Sequence, residues 1–154
     1  MRDDQNLELR EATAIDAPRI AEIYLRSRTT FVSFAPLKYS EAEVKSWVGR
    51  ELIPKTRVIV AILNEQLVGM MALDERDGFG WIDHLYVDPD MVNKGVGTGL
   101  IQMGMAELTH PVRLYTFQEN TLSRRFYERL GFRAIKFSDG AENQERCPDV
   151  LYEY

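Results

Sequence analysis

The chain has 154 residues, of which 45% are hydrophobic and 28% are charged. This size and mixture are typical of one globular domain with a continuous core, so we expect residues 1–154 to form a single domain. The formal net charge of -5 disfavours proteins that bind nucleic acid through a broad basic face.

Other classes of protein are disfavoured by what the sequence lacks. The longest apolar runs, such as Val58 to Leu63, are too short to cross a bilayer, and the first residues lack the apolar stretch of a signal peptide. The single cysteine, Cys147, excludes an internal disulfide and a cysteine metal cluster. His84 and His110 lie far apart in the sequence and do not indicate a metal site. We therefore expect a cytoplasmic protein with no metal and no nucleic-acid or membrane partner.

The first predicted elements are a strand and a helix. Leu7 to Thr13 alternate apolar and polar residues, which predicts a half-buried strand. Asp16 and Pro18 predict the start of a helix, since aspartate caps free amides and proline suits the first turn. The stretch from Phe31 to Tyr39 contains a proline between aromatic residues and predicts a loop.

A second helix is predicted to begin at Ser40, because Glu43 lies three residues later and completes a capping box. The apolar residues that follow recur at helical spacing and include Trp47. This helix is expected to end before Pro54, since proline cannot donate the backbone hydrogen bond of a helix interior.

Three strands separated by tight turns are predicted next. They are residues 56–63, residues 66–75 and residues 79–89. Asn64-Glu65 and Asp77-Gly78 are typical of short turns. Connections this short do not allow a crossover, so the three strands should form an antiparallel meander.

The last part of the sequence alternates helices and strands. In chain order we predict a helix over 99–109, a strand over 112–117, a helix over 121–130, a strand over 132–137, a polar loop over 139–148 and a strand over 149–154. The strands at 79–89 and 112–117 should be parallel, because a helix connects them. The fold class is therefore α/β (α+β), with a mixed, mostly antiparallel sheet of about seven strands flanked by about four helices.

The stretch VNKGVGTGL (92–100) lies between a predicted strand and a predicted helix. Unpaired amides at a helix start attract anions, and glycines let a phosphate approach them, so Gly95, Gly97 and Gly99 fit a phosphate cradle. The pattern is neither a dinucleotide fingerprint nor a P-loop, because Leu100 and Ile101 stand where those motifs need other residues. The glycines alone equally allow a turn that packs a helix close to a strand.

Two blocks of sequence resemble motifs of one enzyme family. LYVDPDMVNKGVGTGL (85–100) is similar to motif A, and ENTLSRRFYERLGF (119–132) is similar to motif B, of the GNAT superfamily of acyl-coenzyme A-dependent N-acetyltransferases. In the second block Asn120, Ser123, Phe126-Tyr127 and Gly131-Phe132 fill the places of that motif. The spacing of the blocks and the order of elements also fit, so the resemblance extends from Leu7 to Tyr154.

The resemblance implies that the cofactor is acetyl-coenzyme A. The amides of residues 94–98 would hold its pyrophosphate, and the backbone of residues 85–87 would pair with its pantetheine arm. Val92 departs from the family pattern, which has Arg or Gln there, and Asn93 stands where glycine is common. The residues assigned to the cofactor in this way are Leu85, Tyr86, Val87, Val92, Asn93, Lys94, Gly95, Val96, Gly97, Thr98, Asn120, Ser123, Phe126 and Tyr127.

The resemblance also implies a reaction in which an amine attacks the thioester directly in a ternary complex. Tyr127 would donate a proton to the departing thiolate, with Phe126 in the core and Tyr127 in the cleft, and the Val87 amide would stabilise the oxyanion. The general base is left open between Asp83, which we favour, His84 and an ordered water. Asp83 and His84 are consecutive on one strand, so their side chains should point to opposite faces unless a bulge intervenes.

The acceptor is expected to be a primary amine of a small molecule or peptide. Phe31 and Phe34, with Asp83 and His84, are the candidate acceptor-binding residues. Trp47 and the loop 139–148 are further candidates. A non-catalytic acyl-coenzyme A sensor on the same fold is the alternative function, since Val92 departs from the pattern and no base is obvious. A homodimer that pairs through the C-terminal strands is expected from the resemblance alone.

Overall fold

The computed structural model describes residues 6–154 and contains one seven-stranded sheet with strand order β1-β2-β3-β4-β5-β7-β6. The strands are β1 (Leu7–Glu11), β2 (Arg57–Leu63), β3 (Gln66–Arg76), β4 (Phe79–Val87), β5 (Val112–Phe117), β6 (Arg133–Ser138) and β7 (Asp149–Glu153). The helices are α1 (Ala17–Phe31), α2 (Glu41–Trp47), α3 (Val96–Glu107) and α4 (Thr121–Arg129). The predicted fold class, a mixed and mostly antiparallel sheet with four helices, is confirmed.

The antiparallel meander β2-β3-β4 is built by the two predicted turns. Asn64 and Glu65 have φ of 50° and 66°, and Asp77 and Gly78 have φ of 54° and 83°. Two consecutive residues with positive φ match the twist of the flanking strands, which is why the connections can be so short. The connection through α3 makes β4 and β5 parallel, as predicted.

The parallel pairing of β4 and β5 is brief. Only Gly80↔Val112 and Trp81↔Arg113 are paired, although both strands continue for several residues. On its other side β5 pairs with β7 along its length, from Arg113↔Glu153 to Phe117↔Asp149. The carboxyl-terminal half of β4 is therefore open on the side that faces β5.

Two local expectations need correction. The chain does not leave the helical path before Pro54, because a π-helical turn over Val48–Leu52 follows α2 and a last turn over Ile53–Lys55 contains the proline. Pro54 is tolerated because it lies at the start of that last turn, where a missing N–H costs little. The first strand ends at Glu11, two residues earlier than expected.

A β-bulge changes the direction of side chains on β4. Ala72 pairs with His84 and Leu73 pairs with Ile82, so Asp83 is an extra residue on β4. The expectation that Asp83 and His84 point to opposite faces assumed regular alternation, which the bulge removes. Ile82 and Leu85 both pack in the core beneath α3, and His84 packs on the opposite face.

The sheet separates two hydrophobic clusters. Alternation along β2 sends Ile59 to the cluster beneath α3 and α4, and Val60 to the cluster beneath α1 and α2. Leu100 of α3 and Ile20 of α1 are fully buried at the centres of these two clusters. Within residues 6–154 the structure contains no helix with the length and apolar character needed to span a membrane.

Candidate active site

A cavity of about 600 Å³ opens where β4 and β5 diverge. Its walls come from the last turns of α1, the end of β4, the glycine turn before α3, and one face of α4. All the residues that the sequence assigned to the cofactor line this cavity, apart from Lys94. The structure therefore brings the two sequence blocks together around one space.

The glycine turn leaves the start of α3 open towards this cavity. Gly95 has φ of 83° and is the N-cap of α3, and no side chain of the described residues caps the first amides. Those amides have no hydrogen-bond partner within the helix, since no earlier helical turn supplies carbonyl groups for them. Asn93 also has a positive φ, 62°, a conformation that asparagine tolerates.

The three glycines have different roles. A Cβ on Gly95 would meet no atom within 4 Å, but the left-handed backbone strains any other residue there. A Cβ on Gly97 would lie 3.2 Å from Cζ of Phe126, so this glycine borders the cavity wall. A Cβ on Gly99 would lie 2.7 Å from Cδ2 of Leu7, and Gly99 does not line the cavity. Gly99 is thus a packing residue, and of these three glycines Gly95 and Gly97 line the cavity.

A buried carboxylate holds the glycine loop against α1. Asp88 follows β4, and its side chain is 6% exposed. The carboxylate accepts hydrogen bonds from Arg19 Nη2 at 2.7 Å and Arg26 Nη1 at 2.8 Å. It also accepts one from the Asp90 amide at 3.0 Å. Burial alone would raise the pKa of Asp88, but the Asp90 amide and the two guanidinium groups outweigh it and hold that pKa below its usual range. The charged form therefore persists at neutral pH.

Tyr127 lies on α4 with its ring between the core and the cavity. It is 7% exposed and packs edge-on against Phe126 and Phe132, with ring centroids 5.3 Å and 5.8 Å away. Burial raises the pKa of its phenol, and no hydrogen bond from residues 6–154 offsets that effect. The hydroxyl is thus a protonated donor at neutral pH. Phe126, which we expected in the core, is half-buried and lines the cavity as well.

Asp83 lies outside the cavity lining. Its exposed carboxylate accepts two hydrogen bonds from the Arg76 guanidinium, at 2.8 Å and 2.9 Å. The bulge directs this side chain towards the far end of β3, where Arg76 also stacks over the ring of Trp81. Asp83 is therefore engaged in an ion pair at a distance from the cradle.

His84 lies in an aromatic cluster beneath α1 and α2. The ring centroids of Trp47, Tyr86 and Tyr24 are 5.3 Å, 6.1 Å and 6.3 Å from that of His84. Burial in this cluster lowers the pKa of His84, so its imidazole is neutral at pH 7. His84 is not part of the cavity lining, but its neighbour Tyr86 is.

The two phenylalanines expected at the acceptor site have different surroundings. Phe31 lines the cavity, but Phe34 does not. The Phe34 ring instead packs edge-on against that of Phe117, with the ring centroids 5.8 Å apart. The loop 139–148 meets the loop after α1 at this point. Arg28, which is buried, donates to the Ala35 carbonyl at 3.0 Å and contacts Glu145 at 3.5 Å. The two loops therefore contact each other beside the end of α1, and the residues that join them do not line the cavity.

Six further residues line the cavity and were not singled out from the sequence. They are Ser27, Val32, Met91, Leu122, Arg129 and Leu130. Several of them lie one helical turn from a residue that was assigned, as Ser27 does from Phe31 and Leu130 does from Phe126. That spacing is the signal that would have pointed to Ser27 and Leu130.

Comparisons with known proteins agree on the family. Residues 18–132 match the sequence profile of the acetyltransferase (GNAT) family. The chain is 28% identical over 137 residues to YafP of Escherichia coli strain K12, described as an uncharacterised N-acetyltransferase, with 85% of this chain and 84% of that protein covered.

Solved structures share the fold. The solution structure of apo YjaB from Escherichia coli superposes with a TM-score of 0.79 at 23% identity, over 97% of both chains. The PaiA N-acetyltransferase of Thermoplasma acidophilum, solved in complex with coenzyme A, gives a TM-score of 0.73 at 20% identity, over 96% of this chain and 98% of its own. The profile match covers most of the chain and includes both sequence blocks that meet at the cavity. The protein belongs to the acetyltransferase (GNAT) family.

Proposed function

We propose that the protein transfers an acetyl group from acetyl-coenzyme A to a primary amine of a small molecule or peptide, and that residues 1–154 act as one catalytic domain. The observation that carries the proposal is the shared cavity, which has open helix amides at the glycine turn and a protonated phenol at Tyr127. The solved complex of the PaiA enzyme with coenzyme A supports the choice of cofactor.

The residues at the cavity fit the parts of this cofactor. The first amides of α3, over residues 96–98, are suited to the pyrophosphate, because they have no hydrogen-bond partner among residues 6–154 and lie at the positive end of the helix dipole. Residues 85–87 of β4 have no strand partner on the side of β5, so their backbone is free to pair with the amides of the pantetheine arm. Asn120, whose side chain caps α4 by accepting from the Ser123 amide at 3.2 Å, borders the opposite wall.

Coenzyme A would supply an acyl group activated as a thioester. We assign to Tyr127 the donation of a proton to the departing sulfur, since the raised pKa keeps the phenol protonated over the working pH range. The Val87 amide is assigned to the oxyanion, at the end of β4 nearest the glycine turn.

We no longer favour Asp83 as the base. Its carboxylate is paired with Arg76 outside the cavity lining. His84 is a neutral imidazole next to Tyr86, so the arrangement supports deprotonation of the amine through a water molecule in reach of His84. Of the candidate acceptor-binding residues Phe31, Phe34, Asp83 and His84, Phe31 alone lines the cavity, and the acceptor role of all four stays a prediction. The cytoplasmic location and the homodimer stay predictions.

A non-catalytic acyl-coenzyme A sensor is the second candidate function. The observation that favours it is Val92, an apolar side chain 37% exposed that lines the cavity where the family pattern has Arg or Gln. A sensor would bind the cofactor through the same amides and would not need Tyr127 to have access to the cavity.

One experiment separates the two functions. Free thiol release from acetyl-coenzyme A is measured against a panel of primary amines, alongside calorimetric binding of coenzyme A, for the wild type and Tyr127→Phe. Amine-dependent turnover that falls by about 10²-fold or more in Tyr127→Phe, with the Kd unchanged, is expected for general acid catalysis. Tight binding without turnover on any amine would favour the sensor, and full turnover by Tyr127→Phe would remove the role assigned to this residue.

A further inference from the structure

The cavity has a single charged side chain in its lining. Among the residues of the described chain that line it, only Arg129 carries a charge, and the rest are apolar, hydroxyl-bearing, amide or glycine residues. The protein as a whole has a net charge of -5, which opposes the approach of an anion. A local positive charge at the cavity would therefore have a large effect on which anion binds there.

Arg129 lies on the same face of α4 as the residue that borders the glycine turn. It follows Phe126 by three positions, and residues three apart are neighbours on a helix surface. Phe126 in turn lies against Gly97, since a Cβ on that glycine would come within 3.2 Å of the Phe126 ring. Arg129 is thus one helical turn beyond the contact between α4 and the start of α3.

The guanidinium of Arg129 is not neutralised within the described chain. Arg10, Arg19, Arg26, Arg57, Arg76 and Arg113 each form an ion pair with a carboxylate, but Arg129 forms none with a carboxylate of residues 6–154. The neighbouring acid on α4, Glu128, instead accepts a hydrogen bond from the Tyr152 hydroxyl at 2.9 Å.

We propose that Arg129 binds a phosphate group at the nucleotide end of coenzyme A, and so supplies the positive side chain that Val92 does not provide. The inference rests on the proposed function. The simpler role, a solvated cation that stabilises the carboxyl end of α4 through the helix dipole, does not account for the place of Arg129 in the cavity wall. The phosphate is either the pyrophosphate or the 3′-phosphate of the ribose, and the two can be told apart.

Arg129→Gln and Arg125→Gln form a matched pair of variants. Both residues are exposed and each substitution removes one positive charge from α4, but Arg125 does not line the cavity whereas Arg129 does. The Kd is measured by calorimetry for coenzyme A and for 3′-dephospho-coenzyme A, with the wild type and both variants. We expect Arg129→Gln to weaken coenzyme A binding by about tenfold or more, as loss of a charge-assisted hydrogen bond does, and Arg125→Gln by less than about twofold.

The second ligand identifies the phosphate. If Arg129 contacts the 3′-phosphate, Arg129→Gln weakens the binding of coenzyme A but not of 3′-dephospho-coenzyme A. If Arg129 contacts the pyrophosphate, the substitution weakens the binding of both ligands equally. Thermal unfolding without ligand checks that Arg129→Gln is folded. If it is not, Arg129→Lys replaces it and should bind coenzyme A better than Arg129→Ala.

An Arg129→Gln variant that binds both ligands as tightly as Arg125→Gln would overturn the proposal for this residue and leave the proposed function intact. A wild-type protein that binds no coenzyme A would overturn both. The two failures are therefore distinguishable.

Discussion

Replacing Asp88 with asparagine tests whether the buried carboxylate holds the glycine turn before α3 in place. In the wild type one carboxylate oxygen accepts from Arg19, and the other accepts from Arg26 and from the Asp90 amide. Asparagine has the same shape, but it keeps only one acceptor oxygen and no charge. Its side-chain NH₂ must therefore face one of the two guanidinium groups, and two hydrogen-bond donors cannot bond to each other.

The size of the effect follows from these contacts. The carboxylate is nearly inaccessible to water, whereas the Arg19 and Arg26 side chains are 30% and 38% exposed, so both cations can be partly solvated in the variant. Arg19 also keeps its bond to the Leu67 carbonyl. We expect a loss of about 2–4 kcal/mol in the free energy of unfolding, below the full cost of breaking a completely buried pair.

Asp90→Asn is the matched control, because Asp90 pairs with Arg26 at 2.9 Å but its side chain is 76% exposed. An exposed pair of this kind contributes about 0–1 kcal/mol. Chemical denaturation of both variants gives the stability difference, and calorimetry gives the Kd for coenzyme A. If Asp88→Asn loses no more stability than Asp90→Asn, the reasoning about the buried carboxylate is wrong.

The ion pairs of Asp88 with Arg19 and Arg26 also predict how the stability depends on pH. The folded-state pKa of Asp88 is lowered from an unfolded value of about 3.9. Its contribution to stability is therefore present above about pH 4 and is lost as the pH falls through the folded pKa. The stability difference between the wild type and Asp88→Asn should thus be constant from pH 5 to 7 and shrink below about pH 4. A difference that grows on acidification would contradict this assignment.

Two further variants test the glycine turn. Val92→Arg restores the side chain that the family pattern has there, and calorimetry should show that it binds coenzyme A at least as tightly as the wild type. Val92→Leu is the uncharged control. Much weaker binding by Val92→Arg would mean that residues 92–100 are aligned wrongly with the motif. Gly95→Ala should lower the free energy of unfolding by about 1 kcal/mol, because φ is 83° there and a Cβ is unfavourable in left-handed backbone. Gly78→Ala has the same φ of 83° far from the cavity, so it should lose similar stability without any change in the Kd for coenzyme A.

Most of the fold was predictable because local signals agree with it. The capping box at Ser40 is present, with its hydroxyl accepting from the Glu43 amide at 3.1 Å, and the two short turns required an antiparallel meander whatever the packing. The bulge at Asp83 was not predictable, since it depends on how β3 and β4 pair rather than on either sequence alone. The helical path through Pro54 depends on a π-helical turn, for which the sequence carries no distinct signal.

The parts of the candidate site that depend on local backbone geometry were predictable. The parts that depend on contacts between residues far apart in the sequence were less so. The glycine turn and the motif around Tyr127 were evident from residue types at fixed spacing. The ion pairs of Asp88 join residues 69 and 62 positions apart, and many carboxylates in the chain could have paired with Arg19 or Arg26. Arg129 was missed for a related reason, because only the fold shows which arginines face a cavity and lack an acidic partner.

The opening between β4 and β5 is explained by how the two strands are held at one end. Gly80 donates its amide to the Thr109 carbonyl at 2.8 Å, and a Cβ there would come within 2.5 Å of that oxygen. Only glycine allows the chain before β5 to approach so closely, so the strands are fixed together at Gly80. Beyond the Trp81↔Arg113 pair no strand pairing joins β4 and β5, and the cavity lined by residues 85–87, Phe126 and Tyr127 opens there. The cleft is thus a consequence of strand pairing that is confined to one end, and it leaves the backbone of residues 85–87 accessible to a ligand.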